Sequence, residues 1–255
     1  RFEGYRDAGI NRLSIGVQSF SDAQLKRLGR IHSSDAAQNA ILAAQKAGFD
    51  NINVDVMFGL PEQTISQALD DLTQAIALNP THISWYQLTI EPGTAFGKRC
   101  PPLPNEDTIW EMQQQGQKLL AENNFIQYEI SAFSKPNYQC QHNLNYWQFG
   151  DYLGIGAYAH SKITTKNDII RIRKDKNFTA TEKIIPKQEI IIEFMLNALR
   201  LHQPIPTKLF TERTGLNLDD IKIQLNDAQD QQLLTWNNDH ITTTAKGKHF
   251  LNDLI

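Results

Sequence analysis

The N-terminal part of this 255-residue chain is predicted to be an α/β fold made of successive strand–helix units, and three observations predict it. First, three stretches read as strands: Arg12-Leu-Ser-Ile-Gly-Val-Gln18, Asn51-Ile-Asn-Val-Asp-Val-Met57 and His82-Ile-Ser-Trp-Tyr-Gln-Leu88. Second, a unit repeats: Ala8-Gly9-Ile10 precedes the first strand and Ala47-Gly48-Phe49 the second, 39 residues later, room for one helix, one strand and two loops. Third, the strands have unlike faces. Period-2 alternation puts Leu13, Ile15 and Val17, then Ile52, Val54 and Val56, on one side. Ser14, Gly16 and Gln18, then Asn53, Asp55 and Met57, fall on the other. Parallel strands covered on both sides normally read as continuous apolar runs. A polar inner face therefore points to a lumen or crevice that holds a ligand.

The elements follow in order. Gly9 and Gly48 each fall just past a helix end, where left-handed backbone is common. A helix near 34–47 starts after Ser33 or Ser34, both N-cap residues. Thr64 with Gln67 makes a capping box for the next helix, and Asn105 caps a third that runs toward Glu122. Phe58-Gly-Leu-Pro61 reads as a strand-to-helix turn with Pro61 near the helix start, and Glu91-Pro-Gly-Thr94 as a comparable turn. A further strand is expected at 126–131. Residues 164–181 are charged and lack periodicity apart from a hairpin around Lys166-Asn-Asp168, and read as a linker. The division expected is 1–163, 164–181 and 182–255. The last part carries helices near 187–201, 207–214 and 217–232, two short strands around Asn237-Asn-Asp239 and a helix near 244–254, a small winged-helix-like α+β domain.

Composition excludes several functions. A net charge of −3 gives no reason to expect nucleic acid or an anionic membrane. The helix that would enter a DNA groove carries Asp219, Asp220, Asp227 and Asp230 against Lys222, which phosphate would repel. No apolar run spans a bilayer, so direct membrane insertion is not expected. Cys100 and Cys140, the two cysteines, make no disulfide framework and suit a reducing cytoplasm. The chain opens at Arg1 inside an amphipathic helical pattern and reads as part of a longer protein.

Ligands of βα folds sit at the carboxyl ends of the strands. Gln18 ends the first strand, Asp55 lies close to the end of the second, and Arg30 lies on the segment that follows the first. A guanidinium, a carboxylate and an amide suit a zwitterionic or ribose-bearing molecule. An ion pair between Asp55 and Arg30 would explain the same residues without a ligand. Backbone near Thr89 also faces this mouth. Further on lie Cys140-Gln-His-Asn-Leu-Asn-Tyr-Trp147 and Gly154-Ile-Gly-Ala-Tyr-Ala-His160. His142 and His160 are candidate metal or heme ligands, the aromatics can stack on a flat macrocycle, and the glycines would let backbone approach a ligand. Surface or hydrogen-bonded histidines give the bland alternative. No Cys-x-x-Cys occurs, so these residues alone build no cysteine-ligated iron–sulfur or zinc site.

Gly16-Val-Gln-Ser-Phe20, Arg30, Asn53-Val-Asp-Val-Met-Phe-Gly-Leu-Pro61, Glu91-Pro-Gly-Thr94, His142-Asn-x-x-Tyr-Trp147 and Gly154-x-Gly-x-x-Ala-His-Ser161 together resemble the oxygen-independent coproporphyrinogen III oxidase family of radical S-adenosylmethionine (SAM) proteins, and within it the heme-chaperone branch. The resemblance covers essentially the whole chain. It implies part of a (β/α)6 TIM-like barrel, roughly half of it here, with a 4Fe–4S cluster on cysteines that precede residue 1 in family members. By position it implies that Gln18, Arg30 and Asp55 bind SAM, with Thr89 and His160 lining the same pocket. It implies that His142, Asn143, Tyr146 and Trp147 bind heme. The function implied is a heme chaperone that hands heme to heme-requiring proteins. The alternative is an anaerobic coproporphyrinogen III oxidase, which converts propionates to vinyl groups. A binding scaffold with a degenerate site is the third reading.

Overall fold

The computed structural model describes residues 1–251. They form two compact units, Arg1–Gln139 and the residues from Cys140 onward.

The first unit runs α1 (Phe2–Asp7), β1 (Leu13–Gln18), α2 (Asp22–Arg27), α3 (Ser34–Lys46), β2 (Ile52–Phe58), α4 (Ile65–Ala77), β3 (His82–Gln87), α5 (Ala95–Lys98), α6 (Glu106–Glu122), β4 (Ile126–Gln127) and β5 (Ala132–Ser134). The expected caps form. Ser33 accepts from the N–H of Ala36, Thr64 and Gln67 make a complete capping box, and Asn105 accepts from Thr108. Gly9 and Gly48 take left-handed backbone at φ 89° and 84°. Strands β1, β2 and β3 are parallel neighbours in an open sheet of order β1-β2-β3-β5-β4. Their apolar faces pack on the helices: Val17, Val54, Val56, Ile83 and Trp85 join Ile41, Leu72, Met112 and Leu120 in one buried core. This leaves the opposite, polar face for a site.

One expectation is corrected in this unit. The strand predicted over 126–131 is a tight β4–β5 hairpin, with β5 antiparallel to β3. Glu129 and Ser131 bond to each other through their polar groups, which turns the chain where the pattern read as continuous. The Phe58–Pro61 turn forms ahead of α4 as expected, and the Pro61 carbonyl accepts from Gln24 and Arg27.

The second unit contains α7 (Gln141–Trp147), β6 (His160–Thr164), β7 (Ile169–Lys174), β8 (Ala180–Ile184), α8 (Lys187–Ala198), β9 (Ile205–Pro206), α9 (Thr207–Thr214), a 3-10 turn (Leu218–Ile221), α10 (Lys222–Asp230), β10 (Leu234–Trp236), β11 (His240–Thr243) and α11 (Ala245–His249). Its core includes Phe149, Phe194, Phe210, Ile205, Leu225 and Ile241. The α8, α9 and α10 helices with the β10-β11-β9 sheet make the winged-helix arrangement expected. Residues 252–254 of the last predicted helix lie outside the described residues. The stretch 164–181, read as a linker, is built into an antiparallel β6-β7-β8 sheet. The expected hairpin is its first turn. Charged residues alternate with isoleucines in Ile-Ile-Arg-Ile-Arg-Lys because β7 is only half buried, which hid the strand. Among the described residues, no helix is long and apolar enough to cross a membrane.

Candidate functional site

Two constellations emerge, one in each unit. In the first unit the polar strand face is a connected hydrogen-bond network centred on buried Asn53. Its side-chain amide donates to Asp55 Oδ1 and to Ser14 Oγ, both at 2.7 Å. Ser14 donates in turn to Asp55 Oδ2 at 3.1 Å. The Asn53 carbonyl oxygen accepts from Ser84 Oγ at 3.1 Å and stands 2.6 Å from His82 Nδ1. His82 is buried, and burial first, with the charge of Arg12 second, pushes it down to about 3. The ring is therefore neutral at pH 7. Since Nδ1 faces a carbonyl, it carries the proton, and Nε2 accepts from the Tyr128 hydroxyl at 2.8 Å. Asp55 thus stands half-buried on strand β2 with both oxygens oriented from the side.

Gln18 reaches this face by an irregularity. The β1–β2 register slips between Gly16 and Gln18, which sets Gln18 opposite Val56, an apolar-face position. Left-handed backbone at Gln18, φ 73°, turns the side chain back. Its Oε1 accepts from the Tyr86 hydroxyl at 2.8 Å, and its Nε2 lies 2.7 Å from where a Cβ on Gly16 would stand. Glycine at 16 therefore makes room for the Gln18 amide. From α4, Asp71 holds the turn that follows: it accepts from Ser19 Oγ, from the N–H of Phe20 at 2.6 Å and from Gln63 Nε2. Burial raises Asp71 to about 6 despite the opposing bonds from Phe20 and Ser19.

Tyr86 ties the set together. Burial raises its hydroxyl pKa, the Asp55 carboxylate adds to that, and Arg30 opposes it. Both charges are therefore within electrostatic reach of one phenol. Arg30 is exposed, and among the described residues it forms no ion pair with Asp55, which is bonded to Ser14 and Asn53 instead. Thr89 follows β3 and is exposed. Sequence reasoning missed His82, Ser84, Tyr86 and Tyr128. The first three share the polar alternation of the third strand, a signal that was present; Tyr128 is recognisable only once the hairpin is seen.

In the second unit, His142, Asn143, Tyr146 and Trp147 lie on α7. Its N-cap, Cys140, makes no side-chain capping bond, so the usual start signal is absent. His142, exposed, meets Tyr146 edge-on at 4.8 Å, one helical turn away. Tyr146 packs on Tyr152 at 4.6 Å, and the Tyr152 hydroxyl accepts from Arg171. Arg200 lies 5.0 Å over Trp147, whose buried indole N–H has no hydrogen-bond partner among the described residues. The glycines of Gly154-x-Gly156 are structural: a Cβ at 154 would collide with the His160 carbonyl. His160 is exposed, at the start of β6.

A parallel strand face carrying Gln18 and Asp55, followed by a winged-helix unit, is a radical SAM scaffold with its accessory domain. Residues 1–75 match the Radical SAM superfamily and residues 185–250 the HemN C-terminal domain. Among curated relatives, "Heme chaperone HemW" of Haemophilus influenzae is 46% identical over all of this chain and 69% of its own length. The protein of that name from Escherichia coli is 47% identical, over all of this chain and 70% of its own. That of Bacillus subtilis is 32% identical, over 98% of this chain and 70% of its own. The chain belongs to the HemW family of heme chaperones. A solved structure, the radical SAM enzyme coproporphyrinogen III oxidase (HemN) from Escherichia coli, shares the fold at a TM-score of 0.79 and 19% identity, over 99% of this chain and 65% of that one.

Membership of the radical SAM superfamily implies SAM and a 4Fe–4S cluster. Among the described residues, no group of three or more His, Cys, Asp or Glu side chains could hold a metal ion, and Cys100 and Cys140 lie in different units. The residues here supply no ligand set for the cluster. The polar strand face does fit SAM in donor chemistry, with a carboxylate and an amide at the strand ends and a guanidinium beside them.

Proposed function

We propose that this chain binds heme and passes it to heme-accepting proteins, with SAM held on the polar strand face of the first unit. Gln18, Asp55 and Arg30 grip SAM, and backbone near Thr89 borders it. The cluster is the redox partner that SAM chemistry requires, and its ligands lie outside the described residues. Heme is held on α7 by His142, Asn143, Tyr146 and Trp147. The observation that carries this reading is α7 itself: a helix that presents an exposed imidazole one turn from a tyrosine, beside an indole N–H with no hydrogen-bond partner among the described residues. An apolar plate with a metal centre satisfies both an aromatic surface and an imidazole.

Titration of the full-length protein with hemin tests it. Stoichiometric binding with a defined Soret band is expected, and His142→Ala should raise the heme off-rate about tenfold or more at unchanged melting temperature, since the side chain is exposed. An unaltered off-rate removes His142 from the site. Conversion of coproporphyrinogen to a vinyl product by the cluster-loaded protein would replace the chaperone reading with the oxidase one.

Gly16→Ala separates ligand geometry from folding. The displaced atom is the far end of a flexible side chain, so unfolding free energy should change by less than about 1 kcal/mol. Gln18 is nevertheless pushed from Tyr86, and SAM affinity measured by calorimetry should fall several-fold. Unchanged affinity would take Gln18 out of the SAM site.

A further inference from the structure

The β6-β7-β8 sheet carries a row of basic groups, and not all of them are taken up by acidic partners. Its register sets His160 opposite Arg173 and Arg173 opposite Thr181, and, two residues along, Lys162 opposite Arg171 and Arg171 opposite Lys183. Residues two apart on a strand share a face, so these six stand together. Lys162 is turned inward and satisfied by Asp151, Thr164 and the Phe149 carbonyl. Arg171 pairs with Glu193 at 2.6 Å. Lys183 meets Glu189, both largely exposed. Arg173 has no acidic partner among the described residues. Asp175, the nearest acid of the turn, accepts from the backbone N–H groups of Asn177 and Thr179.

These groups border a groove of about 640 Å³, lined by Tyr158, His160, Arg171, Arg173, Lys183 and Glu193 among others. That size falls within the ~300–1,000 Å³ range of small-molecule sites. Ile172 and Tyr158 are its apolar lining residues, and Asp175 also lines it. Tyr158, in left-handed backbone at φ 60°, is 64% exposed, and the loop that leads to it exposes Leu153 at 75% and Ile155 at 94%. Three exposed apolar side chains in six residues mark a binding surface more than a solvated loop. Basic lining groups beside a loop of exposed apolar side chains match a flat apolar molecule that carries carboxylates. The groove also connects to α7: ring contacts of 4.8 Å from His142 to Tyr146 and 4.6 Å from Tyr146 to Tyr152 lead to the Arg171 guanidinium, 5.9 Å from the Tyr152 ring.

We propose that this groove is the carboxylate subsite of the porphyrin site, where Arg173 and Lys183 pair with the propionates while Tyr158 and its loop lie against the macrocycle. The proposal rests on the heme reading above and adds to it a reason for dicarboxylate specificity. Neutral porphyrin esters offer the same plate without the charges. The test titrates full-length wild-type protein and the Arg173→Ala/Lys183→Ala variant with hemin and with hemin dimethyl ester. Wild type should prefer hemin by about tenfold, the worth of two exposed charge pairs, and the preference should shrink with salt. The double variant should bind both ligands alike, at the wild-type affinity for the ester and with an unchanged melting temperature. Equal binding of hemin and ester by wild type, or a hemin preference retained in the variant, overturns the subsite and leaves the heme reading standing. Failure of wild type to bind either ligand overturns both.

Discussion

Asn53→Ala is expected to destabilise the chain by about 3–5 kcal/mol and to weaken SAM binding, whereas Asp55→Ala should weaken SAM binding with a stability loss of only about 1 kcal/mol. The asymmetry follows from position. Asn53 is buried and serves four partners, so its truncation leaves the His82 N–H, the Ser14 and Ser84 hydroxyls and one Asp55 oxygen short of a bond at once. Each unsatisfied buried group costs on the order of 1–3 kcal/mol, although groups near the open face recover part of that from water. Asp55 is half-buried, and its removal leaves one Asn53 proton and one serine to solvent. Chemical unfolding followed by calorimetry with SAM checks both variants. A loss below 1 kcal/mol for Asn53→Ala would show that the network does not organise the face. Unaltered SAM affinity in Asp55→Ala would show that the face does not hold SAM.

The alternation that separates Asn53 and Asp55 from Val54 and Val56 was legible because strand geometry is local and its period is fixed at two. The helix caps at Ser33, Thr64 and Asn105 were legible for the same reason, since each is decided within four residues. What stayed hidden depends on partners distant in sequence. His82 looks like an ordinary strand residue until β3 is laid beside β2 and Tyr128 arrives from the hairpin 46 residues later. Gln18 was assigned to the polar face by simple alternation; the observed register slips there, and only the left-handed backbone and Tyr86 restore it. The hairpin around 166–168 hinted at the start of β7, but its arginines and lysine at half-buried positions masked its length, and β8 was missed because it is exposed throughout. The motif at 142–147 stood out by its residue types, yet its helix did not, for want of a capping side chain. Local rules therefore exposed the candidate ligands, while the groups that orient them needed the sheet.

The pH dependence of stability should separate two buried titrating groups of the first unit, His82 and Asp71, because their linkages have opposite sign. His82 is lowered in the folded state from 6.5 to about 3. Its contribution is therefore complete above pH 6.5 and is lost as pH falls toward 3. Asp71 is raised from 3.8 to about 6, so its contribution is complete below pH 3.8 and is lost as pH rises through 6. Between pH 7 and pH 4 the first should remove roughly 3 kcal/mol and the second return roughly 2, at 1.36 kcal/mol for each pKa unit. In wild type the two largely cancel. His82→Gln keeps an amide donor for Asn53 and an acceptor for Tyr128 but removes the titration, so that variant should gain stability relative to wild type on acidification. Asp71→Asn should lose it. The offset at pH 7 reflects packing and is set aside by comparing slopes, since every other group titrates alike in the three proteins. Unfolding in urea at half-unit steps from pH 7 to 4 gives those slopes. Parallel curves for all three would mean that neither group is held in the protonation state its surroundings impose. Because Asp71 grips Ser19 and Phe20 directly beyond Gln18, its protonation near pH 6 should also loosen that turn, and SAM affinity in wild type, but not in Asp71→Asn, should change across the same window.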